Sequence, residues 1–174
     1  MRQFIAIFFA LLIAPQLINA ANYTEVYMGG GVAYESATDF DAGLASVVHV
    51  GLPIITRGQH RFAVEGEGSY SLVPASIHKS DLTTMSVAAY GVYRLNVTSR
   101  LYLKPRMGVL YRSYSLKSDA LEIDGSGSEV DLAFSFGGGV HINRSLDVYV
   151  DLAMIDQSDL MHFTLGLEYH FVFY

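Results

Sequence analysis

Six histidines and a scatter of isolated charges are the residues of this 174-residue chain that could carry chemistry. A shared metal ion is the first possibility to weigh. His162 and His170 fall on one side of an extended segment, but eight positions of strand hold them about 27 Å apart, at ~3.3 Å per residue. One ion cannot touch both. His49 and His141 would need partners from distant segments, and the sequence offers no close ligand pair of the kind a zinc site requires. The absence of cysteine removes thiolate sites and disulfides together. The run "SDALEIDGSGSEVD" carries Asp119, Glu122, Asp124, Glu129 and Asp131 at spacings that do not fit a calcium loop, so a solvated loop is expected there. The triple glycines at 29–31 and 137–139 precede no helical pattern and make no phosphate cradle. In strands, such glycines mark bends or close packing. No cofactor is expected.

A second set of charges has a different character. Glu65, Glu67, Lys104, Arg106, Asp151 and Glu168 each stand alone within an otherwise apolar, alternating segment. Their chemistry would be mutual: ion pairs in a confined space, where an unpaired charge is costly and a hydrogen-bonded network is tolerable. What confines them must be read from the elements that carry them.

The clearest element is the last. Phe163, Leu165, Leu167, Tyr169 and Phe171 alternate with Thr164, Gly166, Glu168 and His170, the period of a strand with two unlike faces. About eight such segments run through the chain, near 23–34, 43–54, 61–72, 83–94, 101–113, 129–141, 147–155 and 162–173. No helical period of any length appears after Asn22. The connectors "ITRGQH", "LNVTSR" and "INRSL" are short. Those at the other ends, around 35–42, 73–82 and 114–128, are longer and more polar, while 156–161 is brief. A terminal strand must pair on both sides or leave an exposed edge, and a closed barrel pairs it on both. The expected fold is all-β: a closed, antiparallel, eight-stranded barrel.

Composition fits this reading. Half of the chain (51%) is hydrophobic, only 16% is charged, and 12 Tyr and 10 Phe accompany 16 Gly. The net charge of −6 argues against a nucleic-acid partner. At the N-terminus, "MRQFIAIFFALLIAPQLINA" joins one positive charge, an apolar run from Phe4 to Ala14, a breaker at Pro15 and a small residue at Ala20. This is the layout of a secretory signal peptide over 1–20, with the barrel over 21–174. The alternative, a membrane anchor, would need an apolar run of roughly 20 residues.

Alternation by itself leaves two barrels open: a soluble one with an apolar inside, or a membrane one with an apolar outside. The apolar parity is large and continuous, as in Leu101, Leu103, Met107 and Val109 or in Leu132, Phe134 and Phe136. Aromatics on that parity gather near segment ends (Tyr34, Tyr70, Tyr93, Tyr111, Tyr169, Phe171), as lipid–water interfaces favour. The opposite parity mixes small residues with the isolated charges, which suits the narrow lumen of eight strands. The barrel is therefore expected to be transmembrane, with the six charges inside it. Glu67 is expected to face Lys104 there.

Several stretches resemble a known family. "TLGLEYHF" resembles the C-terminal strand of bacterial outer-membrane barrels, "EVYMGGGVAYE" their first strand and "RFAVEGEGSYSL" their third; "YGVYRL" is similar to a strand-to-turn junction before the fifth. The chain from 21 to 174 resembles the outer-membrane β-barrel domain family that includes the OmpA transmembrane domain, OmpX and the opacity proteins. The resemblance implies a bacterial outer-membrane location after export, a lipid and lipopolysaccharide environment, and recognition of Leu165, Leu167, Tyr169 and Phe171 by the barrel-assembly machinery. The chain departs from the family pattern in the "VFY" that follows Phe171.

The same resemblance frames the question of enzymes. "MHFT" at 161–164 is loosely similar to the His-x-Ser of a lipid A deacylase barrel. Thr164 stands in the place of the serine, and the pair falls on the lumen parity, whereas the deacylase pair faces lipid. The palmitoyl-transferase barrels begin with an amphipathic helix that has no counterpart in the pattern here, and the protease barrels are larger. The expected role is accordingly not enzymatic. It is a monomeric structural or surface-interaction barrel, contacting host or envelope ligands through its loops. A narrow pore is the alternative, and a lipid A-modifying enzyme is a more remote one.

Overall fold

The computed structural model describes residues 25–37, 41–77, 80–118, 123–155 and 160–173. The stretch 1–20, expected to be a signal peptide, lies outside the described residues, as do 38–40, 78–79, 119–122 and 156–159 in the connectors at the other end. The strands are β1 (Glu25–Ala37), β2 (Gly43–Arg57), β3 (His60–Val73), β4 (Ala75–Ile77), β5 (Ser80–Asn96), β6 (Leu101–Ser118), β7 (Ile123–His141), β8 (Leu146–Ile155) and β9 (Leu160–Val172). Every pairing is antiparallel between neighbours, and β1 pairs with β9 to close the barrel. β4 continues β3 beyond Pro74 and runs along β5, from Ala75 opposite Leu82 to Ile77 opposite Ser80. Eight strands thus make the wall, with β4 a short extension of the third. Among the described residues no helix is long and apolar enough to cross a membrane.

The short connectors are tight because their chemistry closes them. Gly58 adopts φ +59, a left-handed conformation, in the two-residue turn between Arg57 and His60. At the β5–β6 turn, Thr98 Oγ1 accepts from the backbone N–H groups of Arg100 and Leu101. At the β7–β8 turn, Asn143 Oδ1 accepts from Ser145 N at 2.8 Å. Side-chain oxygens of this kind stand in for the missing ladder bonds at a turn.

The side chains obey strict parity. Along β9 buried and exposed residues alternate from Leu160 to His170. Leu103 and Leu165 point outward (39% and 56% exposed), whereas Ala133 points inward and is fully covered. Two aromatic rows mark the outer surface. Phe62 and Tyr93 (ring centroids 5.0 Å apart) and Tyr169 and Phe171 (4.8 Å) stand near the short-turn end. Tyr34 and Tyr70 stand towards the opposite end. Inside, tyrosines lie flat over glycines of the next strand: Tyr27 over Gly51, and Tyr149 over Gly166. A methyl group at Gly166 would come within 2.6 Å of the Tyr149 ring, so these glycines are needed for close approach.

The loop expected at 114–128 is corrected by the structure. β6 and β7 stay paired up to Ser118 opposite Ile123, including Tyr114 with Gly127 and Ser115 with Ser126. The connectors expected at 35–42, 73–82 and 156–161 are likewise partly strand. The reason is physical: strand beyond the hydrocarbon needs no apolar face, so "GSGSEVD" loses the alternation that made the rest legible.

A charge on the outer face tests the assignment of faces. Leu103→Arg or Leu165→Arg should cost about 2–4 kcal/mol in lipid vesicles, measured by denaturant titration. Ala133→Arg should fail through crowding in the lumen. Unchanged stability of Leu103→Arg would reverse the faces.

Candidate functional site

The narrow interior is where the chain concentrates its chemistry. The six lumen charges enter from four strands, Glu65 and Glu67 from β3, Lys104 and Arg106 from β6, Asp151 from β8 and Glu168 from β9, and the barrel wall brings them together. Glu168 on β9 is completely covered and acts as a hub. Lys104 Nζ donates to its Oε2 at 2.8 Å, Arg94 Nη2 donates to its Oε1, and His49 Nε2 lies 3.0 Å from Oε2. Lys104 also pairs with Glu65 at 2.7 Å. Arg106 pairs with Glu65, with Glu67 at 2.6 Å and with Asp151 at 2.6 Å, while its Nε donates to Ser135 Oγ at 2.7 Å. Ser135 in turn donates to Asp151 at 3.0 Å. The six charges expected in the lumen therefore lie in one connected chain of contacts, from Glu67 through Arg106, Glu65 and Lys104 to Glu168, with Asp151 on Arg106.

One expected pairing is corrected. Lys104 does not meet Glu67; it bridges Glu65 and Glu168, and Glu67 goes to Arg106. Strand tilt causes the change, because tilt sets neighbouring strands at staggered heights and level counting along each strand misjudges them.

The network reaches further than the sequence suggested. Arg94 lies on β5, also faces Asp147 at 3.4 Å, and stacks on the Tyr102 ring 4.0 Å away. Lys104 lies 5.0 Å from the Tyr27 ring, and Arg106 4.5 Å from that of Tyr90. Cations over ring faces gain attraction that water does not screen. At the short-turn end, His170 sets Nδ1 against Glu25 (2.7 Å) and Nε2 against Asp147 (3.0 Å). His141 reaches Asp147 at 2.7 Å and Arg61 reaches Glu25 at 2.6 Å. Arg94 and His170 share the parity of Val92 and Glu168, so alternation was a signal for both; the ring stacking had none.

Two imidazole–carboxylate groups have ligand atoms close enough for a metal ion: His49, Glu65 and Glu67, and Asp147, Glu168 and His170. In both, the protein's own cations engage the carboxylates: Lys104 and Arg106 in the first, Arg94 in the second. Their donors are committed to an ion-pair core. Nearer the long-loop end, Glu35 accepts hydrogen bonds from Thr84 (2.5 Å) and Ser71 (3.0 Å), and His162 Nε2 lies 3.6 Å away.

A closed barrel with lipid-type outer parity, two aromatic rows and an ion-paired lumen is the build of an outer-membrane protein. The family model for the outer membrane protein beta-barrel domain matches residues 4–171. The chain belongs to that family. It is a small β-barrel of the bacterial outer membrane. No curated protein matches it. Among solved structures, the attachment invasion locus protein Ail of Yersinia pestis is similar with a TM-score of 0.62 and 12% identity, over 86% of this chain and 99% of that one. The N-terminal β-barrel domain of Pseudomonas aeruginosa OprF gives 0.57 at 9% identity, over 86% and 98%. The neisserial surface protein NspA gives 0.56 at 13%, over 86% and 96%. At such identities the likeness is one of fold.

Within this barrel, a cation removed from the core leaves desolvated carboxylates behind. Lys104→Glu should cost about 3–5 kcal/mol in vesicle unfolding experiments, because Glu65 and Glu168 then face a like charge. Adding Glu65→Lys should recover part of that loss. Adding Glu67→Lys in its place should recover little, and equal rescue by both would refute the pairing described here.

Proposed function

We propose that the chain is exported by its 1–20 signal peptide and serves in the outer membrane as a surface-interaction barrel that does not conduct solutes. One observation carries the interactive part. β5, β6 and β7 run past the aromatic row at the long-loop end, and β7 pairs with β8 only from Ala133 onward, opposite Ile155. The stretch 123–130 is thus bonded to β6 on one side, and among the described residues no strand pairs with its other side. An exposed edge of this length, guarded by neither proline nor lysine, accepts an added strand from another polypeptide. Ail has been solved in complex with the heparin analogue sucrose octasulfate. The net charge of −6 here, with Glu129 exposed along the edge, favours an extended polypeptide over a polyanion.

The Glu65–Lys104–Glu168 and Arg106 contacts support a plug reading for the lumen, because paired charges hold side chains across the narrow bore. The short-turn end and both chain ends are assigned to the periplasm, since an even number of strands returns the chain to its starting side. Leu165, Leu167, Tyr169 and Phe171 form the exposed row of β9 and remain available for recognition during assembly.

The lack of native cysteine makes the orientation easy to read. Ser128→Cys should react with an impermeant maleimide on intact cells, and Val97→Cys only after permeabilisation; the reverse order would invert the topology. Deleting 115–126, with folding checked by a heat-modifiable gel shift, should abolish attachment of expressing cells to host-cell monolayers. Undiminished attachment would remove the hairpin from the proposal. Discrete conductance steps from the intact protein in planar bilayers would favour the pore reading instead.

A further inference from the structure

With β4 counted as part of β3, every pairing in the wall but one joins strands that follow each other in the chain, so a turn or loop limits its register. The exception is the closing seam between β1 and β9. Its register is not limited by a connection. The apolar pattern fixes only parity there: a slip of two residues still leaves Met28, Val32, Leu165 and Leu167 in lipid. In the middle of the seam β1 itself offers only small residues to resist such a slip; the contact that crosses it there, His49 to Glu168 at 3.0 Å, comes from β2 over Gly29. Gly29 stands opposite Glu168, Gly30 opposite Leu167, Gly31 opposite Gly166 and Ala33 opposite Thr164.

The two ends of the seam are different. Glu35 and His162 are direct cross-strand partners, both buried, with Nε2 3.6 Å from Oε1. Ser71 on β3 and Thr84 on β5, two and three strands away around the wall, hold the same carboxylate. At the other end Glu25 lies diagonal to His170, 2.7 Å from its Nδ1, and the His170 ring packs on its direct partner Tyr27 at 5.8 Å. Each end therefore carries a glutamate from β1 against a histidine from β9.

We infer that these two glutamate–histidine pairs select the register in which the barrel closes, Glu35–His162 against slips in both directions and Glu25–His170 against one of them. A slip of two residues shifts the strands by about 7 Å and separates Glu35 from His162 in either direction; it separates Glu25 from His170 when Glu35 moves opposite Thr164, and makes them direct partners when Glu35 moves opposite Leu160. It places Glu35 opposite Leu160 or Thr164, leaving a covered carboxylate without its imidazole. The lipid-facing row imposes no such penalty on the same slip.

Cysteine pairs on the lipid face can report register without touching the lumen. Met28→Cys with Tyr169→Cys marks the described seam; Met28→Cys with Leu167→Cys or with Phe171→Cys marks the two slipped ones. In the full chain folded into phosphatidylcholine vesicles, only the first pair should cross-link. With Glu25→Gln and Glu35→Gln together, slipped cross-links should rise about tenfold and the gel-shifted form should appear about tenfold more slowly. His162→Glu by itself should behave similarly. Combining it with Glu35→His rebuilds the pair in reverse and should restore both readouts. Slipped cross-links that stay at background in the glutamine variant would overturn the inference. So would a reversed pair that slips as much as His162→Glu; if the glutamine variant yields no folded product at all, this comparison decides.

Discussion

Hydrocarbon offers no hydrogen bonds, so a chain crossing it by strands must satisfy every backbone N–H and C=O within itself. That constraint forces closure, and the rest of this structure follows from closure. An open sheet would leave β1 and β9 with unpaired edges in lipid; pairing them removes both. A wall of eight strands then encloses a bore only wide enough for side chains. The outer parity must be apolar, and the inner parity must fill the bore without leaving charges unpaired.

The interior meets those demands with two devices that depend on each other. Tyr27 and Tyr149 lie over Gly51 and Gly166, which sets the rings flat against the wall and keeps the bore open to other side chains. Arg94, Lys104 and Arg106 then reach across to carboxylates on other strands while lying over ring faces. Arg106, which touches Glu65, Glu67 and Asp151, links β6 with β3 and β8. Lys104 links β6 with β3 and β9. These contacts brace the wall across its diameter, where ladder hydrogen bonds do not act.

Outside the hydrocarbon the constraint relaxes, and the strands behave differently. β6 and β7 keep their ladder with serine and glycine in place of apolar residues, because water satisfies whatever the ladder leaves free. There the part of β7 that has no second strand partner among the described residues, 123–130, escapes the cost it would carry in lipid. The same backbone groups that must be hidden in the membrane become available for contact beyond it.

What the sequence by itself determined was everything that obeys period two. The alternation of Phe163 to Phe171 with Thr164 to His170 placed β9, its lipid face and the inward direction of Glu168. The same pattern put Glu65, Glu67, Lys104, Arg106 and Asp151 inside. Parity is a local property, so local sequence carries it. Partner choice is not local. Whether Lys104 meets Glu65 or Glu67 depends on strand tilt and stagger, which arise only when eight strands close. Arg94 and the histidines joined the network for the same reason, and the β6–β7 hairpin stayed hidden because strand in water needs no apolar face. Tertiary structure decided which charges pair and how far the strands extend, because both depend on distances between segments far apart in the chain.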